Sequence, residues 1–252
     1  MSIFESHAHY DDARFDADRD ALLRSLPENG IGRVINVGAD MRSSEKSVDM
    51  AREYDFVYAA VGVHPHDAKS MTEADIPVLE GYCGLPKVVA VGEIGLDYHY
   101  DNSPREVQRR WFARQLELAG KVGKPVIIHS REAARETFDI IRESGVRRGV
   151  IHCFSGSAEM ALEYVKLGFY IGIGGVVTYK NSKQLKQAAA AVPLERILIE
   201  TDCPYLSPEP KRGERNSSLN LKYVIGALAC IKNVTEAEIE ESTENNGFRL
   251  FM

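Results

Sequence analysis

The run VVAVGEIGL (Val88–Leu96), followed by PREVQRRWFARQLELAGKVG (Pro104–Gly123) and PVIIHS (Pro125–Ser130), is the stretch from which the fold is read. The outer pieces are short, apolar and rich in β-branched residues, the pattern of buried strands. The middle piece spaces its apolar residues at helical period and closes on Gly123. Strand, helix, strand at this length is a βαβ unit with parallel strands.

Outward from this unit the same alternation recurs. Apolar runs stand at IFESHAH (Ile3–His9), RVINVGA (Arg33–Ala39), FVYAAVGVH (Phe56–His64), GVIHCFS (Gly149–Ser155), FYIGIGG (Phe169–Gly175) and RILIETD (Arg196–Asp202), with helix-period stretches between them. Eight strand–helix units in 252 residues is the size of an α/β chain folded as a (β/α)8 TIM barrel. An open doubly wound sheet is the alternative, but it usually has fewer strands at this length. No linker-like change of composition appears, so residues 1–252 are read as a single domain. After Pro210 a loop leads to two extra C-terminal helices, roughly Ser218 to Ile231 and Thr235 to Leu250.

Composition bounds the function. An apolar fraction of 44% supports a large core, and 20 Gly and 10 Pro exclude collagen-like or low-complexity character. Without a long apolar run or a signal-like N-terminus, a soluble cytoplasmic chain is expected. A net charge of -6 argues against a broad basic face for gripping a long duplex. Cys83, Cys153, Cys203 and Cys230 form no CxxC pair, which excludes a zinc ribbon and fits a reducing compartment.

A barrel keeps its chemistry where strands end and βα loops begin. The expected strand ends carry His7 and His9, His64 and His66, Glu93, His129 and Arg131, His152, and Asp202. In a strand, residues i and i+2 share a face about 6.6 to 7 Å apart, so His7 and His9 can converge on one ion. Glu93, His129, His152 and Asp202 each follow strongly apolar residues, where burial without a partner costs several kcal/mol. Six nitrogen and oxygen ligands exceed what one four-coordinate ion that also holds water can use. They suit two divalent ions sharing a carboxylate.

In order along the chain, HxH (His7, His9), GVHPH (Gly62–His66), GEIGLDY (Gly92–Tyr98), IHSR (Ile128–Arg131), HCFSG (His152–Gly156) and ETDCPYL (Glu200–Leu206) resemble the TatD family of metal-dependent deoxyribonucleases, a branch of the amidohydrolase superfamily. The resemblance spans nearly the whole chain. It implies that His7, His9, Glu93 and Asp202 surround one ion, that Glu93, His129 and His152 surround a second, and that Glu93 bridges. It further implies hydrolysis of phosphodiester bonds in DNA, often from the 3′ end, with magnesium, manganese or zinc. Two departures stand out: Glu5 where members usually have Asp, and Ser217-Ser218 after Asn216 where Glu-Pro commonly follows. Amidohydrolases that bridge their metals with a carbamylated lysine on strand 4 are disfavoured, because Lys87 lies at the wrong end of that strand.

On this reading a bridging water becomes hydroxide, and Asp202 acts as general base and proton shuttle. His64, Arg131, Lys211 and Arg212 hold the phosphate. Cys153 and Cys203 are expected to turn away from the metals as buried thiols, and Gly172-Ile173-Gly174-Gly175 marks close packing in strand 7 rather than a phosphate loop. Two rival readings keep the same ligands: ester or amide hydrolysis, such as removal of an aminoacyl group from tRNA, and a noncatalytic metal-bearing barrel that binds nucleic acid.

Overall fold

In a computed structural model, which describes residues 2–252, the apolar runs become eight strands. They are β1 (Ile3–Ala8), β2 (Ile31–Val37), β3 (Val57–Val61), β4 (Val88–Asp97), β5 (Val126–Arg131), β6 (Gly149–Ile151), β7 (Tyr170–Ile173) and β8 (Ile197–Ile199). Each pairs in parallel with the next, and a bridge between Ala8 and Cys203 closes the ring. The outcome is the (β/α)8 barrel that the alternation predicts, and not the open sheet.

Nine α-helices are found among the described residues: α1 (Arg19–Ser25), α2 (Met41–Glu53), α3 (Asp75–Cys83), α4 (Arg105–Val122), α5 (Ala134–Ser144), α6 (Ala158–Lys166), α7 (Lys183–Ala191), α8 (Leu221–Lys232) and α9 (Glu236–Phe251). In α4 the helical period turns Trp111, Phe112, Leu116 and Ala119 inward, where all are buried against the barrel. Burying a Leu or Phe side chain contributes about 1.5–3 kcal/mol. The two C-terminal helices lie close to their expected ranges, except that Ser218–Asn220 forms a 3-10 turn ahead of α8. No helix among the described residues is long and apolar enough to cross a membrane.

The barrel interior is packed rather than hollow. Phe4, Ile35, Ala60, Ala90, Ile127, Val150 and Leu198 form one buried cluster that also includes Leu250 and Phe251 of α9, so the last helix covers the N-terminal end of the barrel. The polar side chains gather at the other end.

The strands that carry those side chains are irregular there. Strand 4 was expected to end at Glu93, but β4 continues to Asp97, and its pairing with β5 shifts register between Val91 and Ile94. Glu93 therefore sits in the middle of the strand at an irregularity, where a side chain can be re-aimed. Gly95 lets the strand resume: its φ is +147°, and a Cβ there would collide with the His129 carbonyl oxygen. A similar shift falls between Glu5 and Ala8, around His7.

Candidate metal centre

Side chains at the ends of β1, β5, β6 and β8 converge on Glu93 of β4, which is 4% exposed. Its Oε2 lies 3.4 Å from His7 Nε2 and 3.7 Å from His9 Nε2. Its Oε1 lies 2.8 Å from His152 Nε2, 2.9 Å from His129 Nδ1 and 3.5 Å from His64 Nε2. One carboxylate thus presents a different oxygen to each of two imidazole groups. Asp202 Oδ1 faces the first group, 3.4 Å from His9 Nε2 and 3.7 Å from His7 Nε2.

The i, i+2 spacing of His7 and His9 brings their Nε2 atoms to 3.0 Å. His9 is held in place by a contact of 2.8 Å between its Nδ1 and the Val37 carbonyl oxygen. Three trios have ligand atoms within 4.8 Å of one another: His7, Glu93 and His152; His7, His9 and Asp202; and His64, Glu93 and His129. The donors are imidazole nitrogens, which suit zinc and other transition metals, and carboxylate oxygens, which also suit magnesium and manganese. Neither Glu93 nor Asp202 has a lysine or arginine partner among the described residues. Buried carboxylates of this kind need a counter-cation, so the residues fit a divalent metal centre.

Burial by itself would raise the Glu93 carboxyl, but the charge of His152 and hydrogen bonds from His129 and His152 hold it well below the usual carboxylate range. Burial pushes His64 well below the usual imidazole range, against the pull of Glu93. For His9, burial is outweighed by Asp202 and Glu93, which raise it to about 9.

The other residues named from the sequence divide. Arg131 lines the cavity above Glu93, which has a volume of about 690 Å³. Its guanidinium stacks 4.7 Å from the centre of the Tyr100 ring, and no carboxylate among the described residues lies within 4.0 Å of it. His64 belongs to the ligand cluster itself. Lys211 and Arg212 do not line the cavity: Lys211 Nζ lies 3.2 Å from Glu214, and Arg212 stacks 4.5 Å over Tyr179. Cys203 is buried as expected, whereas Cys153 lines the cavity. The alternation argument fails for Cys153 because β6 ends at Ile151 and Cys153 adopts φ +45°.

Three further carboxylates stand around the centre: Asp97 and Glu200, which the sequence does not single out, and Glu5, which it offers only as a departure from the family pattern. Asp97 Oδ2 lies 3.1 Å from His129 Nε2 and 2.9 Å from His66 Nε2. Glu200, fully buried, accepts the Cys153 backbone N–H and stands 3.6 Å from His152 Nδ1. A Cβ on Gly172 would sit 2.5 Å from Glu200 Oε2, which is the close packing expected of β7. Glu5, also fully buried, accepts hydrogen bonds from the Thr201 N–H (2.8 Å), the Thr201 hydroxyl (2.7 Å), the Ser218 hydroxyl (3.0 Å) and the His7 N–H (3.3 Å). Burial pushes the Glu5 carboxyl up to about 8, with those hydrogen bonds opposing. The two departures from the family pattern therefore touch each other: the Ser218 hydroxyl donates to Glu5. The signal for Asp97 and Glu200 lay in GEIGLDY and ETDCPYL, but each is one strand residue among several until the register is known.

Comparison with known proteins gives the chain its family. The family profile described as TatD related DNase matches residues 4–252. An uncharacterized metal-dependent hydrolase, YabD, from Bacillus subtilis is 42% identical over 251 residues, covering 99% of this chain and 98% of the relative. A Cronobacter sakazakii protein named 3′-5′ ssDNA/RNA exonuclease TatD is 31% identical, covering 99% and 98%. Among solved structures, the TatD homologue YjjV from Escherichia coli superposes with a TM-score of 0.94 at 31% identity, covering 99% of this chain and 97% of that one.

Proposed function

The chain belongs to the TatD-related DNase family of metal-dependent hydrolases, and from that premise we propose that it hydrolyses phosphodiester bonds in single-stranded DNA, working from the 3′ end. The observation that carries this reading is the division of Glu93, Oε2 to His7 and His9, Oε1 to His129 and His152. We assign His7, His9, Glu93 and Asp202 to one divalent ion and Glu93, His129 and His152 to a second. Bound there, a divalent pair lowers the pKa of water toward neutrality and neutralises charge that develops on phosphate. The name of the Cronobacter relative favours a nucleic-acid substrate for that protein, and we extend it to this one. Four free thiols fit the cytoplasm as the compartment.

The chain's own residues divide the remaining work. Asp202 is held ionised: burial would raise it, but the hydrogen bond from His9 and the nearby imidazole charges lower it. It accepts the proton of the attacking water and returns it to the leaving oxygen. Arg131 binds a nonbridging phosphate oxygen at the cavity wall. His64, at the edge of the second ligand group, binds another. Lys211 and Arg212, on the loop after β8, meet the strand outside the cavity.

The test incubates the protein with single-stranded DNA labelled at either end, and separately with aminoacyl-tRNA, with magnesium or manganese and with or without chelator. Stepwise shortening of the 5′-labelled strand, lost on chelation, is the expected result. Metal-dependent deacylation with intact DNA would replace this reading with the ester one.

A further inference from the structure

Large apolar side chains are rarely left exposed on this protein. Among the described residues only Val78, Tyr100, Tyr205, Leu206 and Met252 are. Three of the five, Tyr100, Tyr205 and Leu206, line the cavity above Glu93. Solvent-exposed aromatics concentrated at the mouth of one polar cavity mark a surface meant to be covered.

Their placement follows from the topology. Tyr100 lies just beyond β4 and Tyr205 just beyond β8. In a closed ring of eight strands in sequence order, strands four apart stand opposite one another, so the loops that carry the two tyrosines leave opposite sides of the ring, and both rings line the one cavity. Glu93 of β4 and Asp202 after β8 line the same cavity. Tyr205 has its ring centre 6.4 Å from that of His9, and Tyr100 lies 5.4 Å from His66. Both rings are about half exposed, at 54% for Tyr100 and 46% for Tyr205. Each also carries a guanidinium over its ring: Arg131, without a carboxylate partner among the described residues, at 4.7 Å over Tyr100, and Arg14, itself paired with Asp12 at 2.7 Å, at 4.0 Å over Tyr205. An aromatic ring beside a cation offers a stacking surface for a base next to a partner for its phosphate.

We propose that Tyr100 and Tyr205 are base-stacking platforms on the two sides of the scissile phosphate, which select a single strand whose flanking bases are splayed apart. This rests on the nuclease reading and deepens it. A base paired in a duplex is already stacked on its neighbours and cannot reach either ring without unpairing.

The experiment measures KM and kcat for wild type, Tyr100→Ala, Tyr205→Ala and the two Tyr→Phe variants in manganese. The substrates are a short single strand, the same strand with abasic nucleotides flanking the cleaved bond, and the duplex, each as DNA and as RNA. Removing one flanking base should raise the wild-type KM about 5- to 150-fold, the range that loss of one base–aromatic stack brings. Each Ala variant should raise KM on the base-bearing strand by a similar factor, with kcat changed less than threefold. In that variant, removing the matching base should then cost less than twofold. The Phe variants should keep low KM, because the ring and not the hydroxyl does the stacking, and DNA and RNA should respond alike. Ala variants with wild-type KM, or with the full penalty for base removal, would overturn the platforms while leaving the nuclease reading intact. If the wild type cleaves none of the strands, the nuclease reading falls and the platforms fall with it.

Discussion

Asp97 stands behind His129: its Oδ2 lies 3.1 Å from Nε2 of the ring, which leaves Nδ1 to face Glu93. A carboxylate behind a metal-binding imidazole fixes its tautomer and orientation, and losing it typically weakens metal affinity 10- to 100-fold. Asp97→Asn should therefore raise the Kd for manganese by about that factor, while saturating metal restores most activity. Calorimetric titration of wild type and variant, with activity followed against metal concentration, checks this. An unchanged Kd would reduce Asp97 to a structural role.

Because Glu93 alone faces both imidazole groups, its loss should differ in kind from loss of a single histidine. Glu93→Gln should empty or weaken both ion positions, and His129→Ala mainly one. Each should lower turnover by orders of magnitude. Elemental analysis of the purified variants decides it: two ions retained in Glu93→Gln with near-normal turnover would refute the bridging assignment.

The barrel was legible because strand runs and helix periods alternate along the chain, and the ligand candidates because polar residues interrupt apolar strands at their ends. What the sequence hid was register. Strand 4 looked finished at Glu93, yet β4 runs on to Asp97 because the shift between Val91 and Ile94 and the glycine at 95 let pairing resume past the irregularity. That extension is what places Asp97 behind His129. Cys153 was misjudged for a related reason, since alternation holds only inside a strand. The exposed rings of Tyr100 and Tyr205 carry no periodic signal at all, and only the closed ring of strands sets their loops on opposite sides.

Glu5 and Ser218 form a coupled pair. The Ser218 hydroxyl donates to Glu5 at 3.0 Å while accepting from Tyr10 Oη at 2.8 Å, and the Ser218 N–H donates to Tyr10 Oη at 3.0 Å. Glu5→Asp shortens the side chain by one methylene, so it should no longer reach both Thr201 and Ser218. The single variants Glu5→Asp and Ser218→Ala should each destabilise by about 1–3 kcal/mol, the cost of leaving a buried polar group unsatisfied. Their effects should not add, with a coupling of about 0.5–3 kcal/mol in a double-mutant cycle. Ser218→Pro, which also removes the N–H, should be worse than Ser218→Ala. Urea unfolding of the set measures these differences, and strict additivity would mean that the two departures from the family pattern are independent.

On the proposed nuclease reading, an acidic protein acting on a polyanion must rely on a few well-placed cations. Arg131 lines the cavity and has no carboxylate within 4.0 Å among the described residues, so its charge is available to a substrate. Arg212 lies 3.9 Å from Glu209 and Lys211 lies 3.2 Å from Glu214; both pairs are exposed, so breaking them costs little. Neutralising two or three phosphates gives a slope of log affinity against log salt of about -1.4 to -2 on a single strand. Arg131→Ala should lower kcat/KM on DNA by about 1–3 kcal/mol, the value of a charged hydrogen bond, and make the slope shallower by about 0.7. Arg212→Ala should have a smaller effect, because its loop lies outside the cavity. Metal content should stay constant in both, since neither residue lies among the ligand trios. The measurement is kcat/KM for the three proteins on a short labelled strand across several salt concentrations, with metal stoichiometry in parallel. A larger loss in Arg212→Ala than in Arg131→Ala would mean that the strand is anchored along the loop after β8 and not across β5.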